Sequence, residues 1–403
     1  MNIKEFKELP RGARNLIIYY TLTVPFLITV DLLPVYLFRL GFTVEEVGIV
    51  FSITSFVSLI ASIILGVAFD RGLPVKIGML LIEILESLSN LFYALATKVE
   101  HILIGNALSK VGNLFGVSYQ VYEKDVYPSD KLEKVYSYHF ALPELMLLFS
   151  YPIIGYLLGF VFTSVEAMRL VFLISSLSSL FFAAYILKLL PDVFRKVKLR
   201  EKSELSRELW PVIVAQVLIV FSFSITTGIV LDNYIYNILG LNIFFVIVVT
   251  AIASSSSLVA SIVAEKINTD RRFQMLILSI IILVVYACSM ANLGFLNMSQ
   301  YYIFGILLGL TILMGFGHTL WFIFHRSYLF RLIPEERRGA ILGGISSLTR
   351  VLGVIAPATA GIIAYRIHPL ATYYIQVIVL AVAALMYMLS RRINYKSNLH
   401  TNK

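Results

Sequence analysis

Ser58-Leu-Ile-Ala-Ser-Ile-Ile64 returns almost unchanged as Ser257-Leu-Val-Ala-Ser-Ile-Val263, and neither copy carries a charge. Gly41 precedes the first copy at the same offset as Gly240 precedes the second, while Asp70-Arg71 and Asp270-Arg271 follow them one residue out of step. Pro128 in DVYPSDKLEKVYS corresponds in the same way to Pro334 in RLIPEERRGAILG. A repeat separated by about half of the 403 residues means that one unit has been duplicated, a common construction among membrane transport proteins.

Both copies sit inside apolar runs long enough to cross a bilayer. A window of about 19 residues gives twelve spans, at 15–38, 47–69, 77–97, 101–121, 139–163, 170–187, 210–236, 241–264, 273–295, 300–325, 340–365 and 368–390. Composition agrees: 59% hydrophobic and 14% charged departs far from the soluble average of about half apolar and about a quarter charged. Twelve crossings of about 20 residues consume nearly all of that apolar content and leave little for a soluble domain. No Gly-Lys dipeptide occurs, so the chain lacks a phosphate-cradling G-x-x-x-x-G-K-[ST] loop for ATP hydrolysis.

The net charge of +9 reads as topology and not as a nucleic-acid surface. With a cytoplasmic N-terminus, the inner segments hold about 27 of the 33 Lys and Arg and the outer segments about 4, which orients the chain with both termini cytoplasmic. The first apolar run has no small-residue cleavage site and is read as a transmembrane helix rather than a removable signal. Cys288 is the only cysteine, which excludes an internal disulfide and a thiolate metal cluster. The hydrophilic stretch Pro191–Leu209 falls near the midpoint. The expected organisation is a six-helix bundle over 1–187, a cytoplasmic linker over 188–209, and a second six-helix bundle over 210–403. The linker is either a solvated tether or a short basic helix on an anionic leaflet.

Gly66-Val-Ala-Phe-Asp70-Arg71-Gly72 followed by Lys76 resembles the G-x-L-A-D-R-x-G-R-[RK] cytoplasmic loop of the major facilitator superfamily; Gly66, Asp70 and Arg71 match that pattern directly. Pro334-Glu335-Glu336-Arg337-Arg338-Gly339 followed by Gly343-Gly344 is similar to the corresponding loop of the second half. The resemblance implies an all-α integral membrane protein of twelve helices in two pseudo-symmetric bundles that rock about a central site, with Asp70 and Arg71 latching one bundle to the other. It also implies that helices one, four, seven and ten line the cavity, which places Asp31 and Lys110 there. Lys110, Asn113 and Gly116 follow the fourth-helix R-x-x-Q-x-x-G spacing of proton-coupled drug exporters, with Lys and Asn substituted. Tyr151-Pro152-Ile-Ile-Gly155-Tyr156 keeps only the Pro and one Gly of those exporters' G-P-x-x-G-G signature, so import and export both stay open.

An ionisable side chain within a span costs at least about 2.5 kcal/mol and so calls for a cavity, a partner or an end position. Asp31, Lys110, Glu144 and Arg350 qualify. Asp31 and Lys110 are expected to interact, as a proton-coupling pair or as a static ion pair; Glu144 and Arg350, on gating helices, are expected to brace. Glu83 and Glu86 share one face of span three, close enough to share a proton. Asp232-Asn233 ends span seven, as an exposed terminus or an outer vestibule. His318, Trp321, Phe322 and His325 form one helical stripe, an aromatic wall for an organic solute or ordinary packing. No H-E-x-x-H pattern occurs, and neither a metal site nor a cofactor is expected.

The expected function is secondary active transport of a small organic solute across the plasma membrane by alternating access, coupled to protons and carried out by a monomer in the lipid bilayer. The chain is not expected to be an enzyme or to bind nucleic acid. The rival reading is a membrane receptor or assembly factor that reuses the fold without transport.

Overall fold

The computed structural model describes residues 3–70, 74–128, 132–192, 209–226, 228–267, 271–333 and 338–401. Among the described residues eleven helices are long and apolar enough to cross a membrane, from Arg11–Arg39 to Thr372–Ile393. The remaining crossing, span four, is broken into Val99–Gly112, a tight turn Asn113–Gly116 and Val117–Val126. Helix is the only form that these apolar runs can take in isolation, since every backbone donor and acceptor in hydrocarbon needs a partner from its own segment.

The helices are not uniform rods. Span one tightens at Val24–Leu27, where Pro25 cannot donate, and resumes as Ile28–Arg39. Span five, Leu132–Tyr156, contains Pro143 and Pro152 and widens into a looser turn over Leu157–Val161. Span seven stops at Ser224 and restarts at Ile229, with Gly228 at φ 65°, a left-handed backbone that favours glycine. Hydropathy read this span as continuous over 210–236, because Ile225 and Gly228 keep the average high although the backbone turns there.

Span ends are set by caps. Thr43 Oγ1 accepts from the Glu46 amide at 3.2 Å while Glu46 Oε2 accepts from the Thr43 amide at 2.8 Å, a reciprocal capping box that starts span two, Val44–Asp70. Ser164 Oγ accepts from the Ala167 amide at 3.2 Å to start span six, Val165–Leu189. Phe149 (69% exposed), Leu177 (60%) and Ile378 (65%) lie on the outside of their helices, as a lipid-facing surface requires.

Contacts divide the chain into two compact units. The first is Met1–Gly41, Ile53–Val197 and Ile243–Ala251; the second is Phe42–Ser52, Lys198–Asn242 and Ile252–Lys403. The beginnings of spans two and eight are thus exchanged relative to a simple division at the midpoint. Within the second unit the start of span two lies directly on span eleven, Arg338–Arg366. A Cβ on Gly48 would meet the Pro357 carbonyl oxygen at 2.4 Å, Ser52 Oγ accepts from the Ala358 amide at 2.9 Å, and Arg366 pairs with Glu45 at 2.6 Å. Within the first unit the start of span eight packs on span five, where a Cβ on Gly155 would meet Ile247 side-chain atoms at 3.2 Å.

Three expectations fall on undescribed positions. Arg71 of the latch, Pro334–Arg337 of the second loop and 193–208 of the linker lie outside the described residues. Gly66 and Asp70 belong to the last turns of helix Val44–Asp70.

Candidate functional site

Asp31 follows the tight turn of span one by one helical turn. Its carboxylate takes hydrogen bonds from the hydroxyls of Tyr151 on span five and Thr250 near the start of span eight, all within the first unit. Glu144, two turns before Tyr151 on the same helix, acts electrostatically on that phenol. Two acids on different helices therefore share one tyrosine. The hydroxyl pair was invisible in the sequence, because Tyr151 and Thr250 come from spans four and seven further along the chain and only packing brings them to Asp31.

Lys110 lies in a second cluster of the same unit. The charge that acts on it is Glu86 of span three, Val75–Ala94, whose Oε1 also accepts from Ser109 Oγ at 2.7 Å. Ser58 Oγ donates to the Lys110 carbonyl at 3.1 Å, tying span two to span four. The expected Asp31–Lys110 pair does not form: among the described residues the two make no ion pair, Asp31 is bonded to Tyr151 and Thr250, and the charge that acts on Lys110 is Glu86. Asn113, the expected Gln equivalent, is exposed in the turn that interrupts span four.

Glu83 and Glu86 face different neighbours despite their spacing. Glu83, 6% exposed, accepts from the phenols of Tyr19 and Tyr119, the latter at 3.2 Å, and the two phenols are also bonded to each other. Helix rotation explains the difference: three residues advance about 300°, so side chains on one broad face still diverge by about 60°.

The aromatic stripe of span ten, Gln300–Leu332, also divides. His318 meets Phe223 of span seven with ring centroids 4.7 Å apart. Trp321 is 4% exposed, donates from Nε1 to the Tyr387 hydroxyl at 3.1 Å and stacks on His325 at 5.2 Å. His325 is 1% exposed and bonded through Nδ1 to the same Tyr387 hydroxyl at 2.7 Å. Phe322 is 39% exposed, with the Arg326 guanidinium 4.7 Å from its ring. Trp321 and His325 thus pack on span twelve, while the His318 ring, 5.7 Å from that of Trp321, carries the stripe towards span seven.

Asp232 and Asn233, read as an exposed terminus or an outer vestibule, are buried at 9% and 5% beyond the break in span seven, which does not fit an exposed terminus. Arg350 is partly exposed midway along span eleven. Lys76, which follows the loop motif, donates to the Leu187 and Leu190 carbonyls at 3.1 and 2.9 Å and pairs with Asp192 at 3.0 Å, so it closes the end of span six. An apolar cavity of about 550 Å³ between spans one, five and six, lined by residues such as Pro25, Phe26 and Leu158, contains none of the expected charged residues.

The sequence model of the Major Facilitator Superfamily matches the chain over residues 17–322 and again over 212–403. Several solved structures share the fold at low identity. A bacterial homologue of the iron transporter ferroportin in its inward-facing state is 14% identical, with 97% of this chain and 99% of that chain covered and a TM-score of 0.67. The nucleoside transporter NupG is 11% identical, with 94% and 99% covered and a TM-score of 0.68. A D-xylose-proton symporter is 16% identical, with 94% and 95% covered and a TM-score of 0.68. No curated protein sequence matches the chain.

Proposed function

The chain belongs to the major facilitator superfamily, and from that premise we propose that it moves a small organic solute across the plasma membrane by alternating access, driven by protons that bind at Asp31. The halves that rock are 1–187 and 210–403, joined by 188–209, with both termini in the cytoplasm. The observation that carries the reading is the setting of Asp31: an intramembrane carboxylate beside a helical discontinuity, held by the hydroxyls of Tyr151 and Thr250. Such a group can exchange a proton for a solute hydrogen bond without leaving an unpaired charge in the bilayer.

Lys110 belongs to this function as the counter-charge of Glu86, and His318 as a candidate solute contact on span ten. Phe322 and Asn113 stay candidates for the same surface, and Glu144 modulates Tyr151. Hydroxyl donors around a carboxylate suit a polar organic solute.

The test is a thermal-shift panel on the purified protein, covering sugars, nucleosides and divalent metal ions, followed by counterflow in proteoliposomes for each hit. A solute that accumulates under a pH gradient, with accumulation lost and counterflow retained in Asp31→Asn, is the expected result. Flux of metal ions alone would overturn the organic-solute reading. Binding without any flux would favour the receptor alternative.

A further inference from the structure

Beyond Asp31, the first unit holds a second set of intramembrane charges to which the transport reading gives no protonation role. Span three contributes Glu83 and Glu86, span four contributes Lys110, and these are two carboxylates against one amine. Glu86 has Ser109 as a donor and Lys110 as its opposite charge. Glu83 is surrounded by hydroxyls: Tyr19 from span one, Tyr119 from span four and Ser179 from span six. The charged group that acts on it most directly is Glu86, of its own sign.

We infer that Glu83, Glu86 and Lys110 form a proton-binding site inside the first unit, with Tyr19 and Tyr119 as its hydrogen-bonding wall.

The argument is one of charge count. An uncompensated ion in low dielectric costs several kcal/mol, and phenols soften that cost without cancelling the charge. With both acids ionised the cluster carries one negative charge more than Lys110 neutralises; one bound proton restores neutrality. Glu83 is the member that takes it, since Glu86 accepts from Ser109 and feels the opposite charge of Lys110, while the charge acting on Glu83 is of its own sign. The proton has carriers at hand: the Tyr119 and Tyr19 hydroxyls touch Glu83 and each other, so each can accept one proton as it releases another without becoming a phenolate. The aromatic cluster continues towards the far end of span four. The Tyr20 ring lies 5.6 Å from that of Tyr119, its hydroxyl donates to Glu123 at 2.8 Å, and it meets the His139 ring at 4.6 Å. His139 is in turn bonded to the Tyr127 hydroxyl at 2.7 Å. Glu123 and His139 are titratable groups within that aromatic cluster. The site itself does not depend on Asp31; a role for it in transport rests on the proton-driven reading above.

Infrared difference spectroscopy of the protein in liposomes near neutral pH, in H2O and D2O, counts buried protonated carboxyls without any solute. The wild type should show a deuterium-sensitive carboxylic band that Glu83→Gln removes. Glu86→Gln should remove it too, because one carboxylate then meets one amine. Lys110→Met should add a second such carboxyl. Size-exclusion profiles report folding. If Glu83→Gln does not fold, the other two variants carry the test, since they leave the Tyr19–Glu83–Tyr119 bonds in place. Carboxylic absorption that Glu83→Gln leaves undiminished, or that is indifferent to both Glu86→Gln and Lys110→Met, would overturn the site, the share of Asp31 being fixed by Asp31→Asn. Loss of the band only in Asp31→Asn overturns this site and leaves the proposed function standing; pH-driven accumulation intact in Asp31→Asn but lost in Glu83→Gln does the reverse.

Discussion

At the scale of single residues, the behaviour of a charge inside the membrane is set by the groups packed against it. Asp31, Lys110, Glu144, Glu83 and Glu86 stand out because an ion in an apolar run is costly wherever it points. Partnership depends on helix rotation and on which helices adjoin, and neither is encoded locally. Asp31 is therefore held by Tyr151 and Thr250, while the charge that acts on Lys110 is Glu86. The partners yield a prediction that the charges alone did not. Tyr151→Phe removes a hydrogen bond to a charged group, worth about 1.5 to 3 kcal/mol, and should cut pH-driven accumulation by about tenfold or more while counterflow persists. Proteoliposome uptake at matched protein density measures this, and unchanged accumulation would detach Tyr151 from coupling. Trp321 gives a contrasting case. Its Nε1 is committed to Tyr387 and its ring to His325, so Trp321→Phe should cost about 1 kcal/mol of stability and leave the KM for counterflow unchanged. A raised KM with unchanged stability would return Trp321 to the solute surface.

Elements were the most legible level, because a window sum over about 20 residues is insensitive to any one side chain. The spans stand where apolar content placed them. What the window could not register were interruptions: the turn at Asn113–Gly116, the left-handed Gly228 and the tightened turn at Pro25 all lie within runs that stay apolar on average. Helix-to-helix approach was equally hidden, as glycine in a membrane helix reads as a small residue until its neighbour is known. Gly48 supplies the test. A methyl group there would meet a backbone oxygen at 2.4 Å, and backbone cannot swing aside as a side chain can. Gly48→Ala should lower stability by about 1 to 3 kcal/mol through overpacking against span eleven. Gly305→Ala, in span ten with open space around its Cβ, should be neutral or stabilising by up to about 1 kcal/mol. Thermal unfolding of both in one detergent decides it, and equal losses would mean that the span two to span eleven contact is less tight than these distances require.

For the whole molecule, duplication and charge asymmetry were both readable without a structure, since each is a property of the full sequence. The repeat of Ser58–Ile64 at Ser257–Val263 announced two related halves. The fold-level likeness to transporters for iron, a nucleoside and a sugar leaves the solute to be decided by side chains that no repeat can disclose. The proposed orientation rests on the basic residues. About 27 of 33 Lys and Arg fall on the side of the termini, and the positive-inside rule predicts that side to be cytoplasmic. Asn237 is a suitable reporter, being exposed in the turn that closes span seven, with its amide bonded only locally to Asn233 at 2.9 Å. The native Cys288 is free and exposed, so the probe belongs in a Cys288→Ala background. In intact cells, Asn237→Cys should react with a membrane-impermeant maleimide added outside, while a tag at either terminus should become reachable only after permeabilisation. Reaction of the cysteine solely from the cytoplasmic side would reverse the orientation. It would also place the basic loops where the rule forbids them, so the assignment of the spans themselves would have to be redrawn.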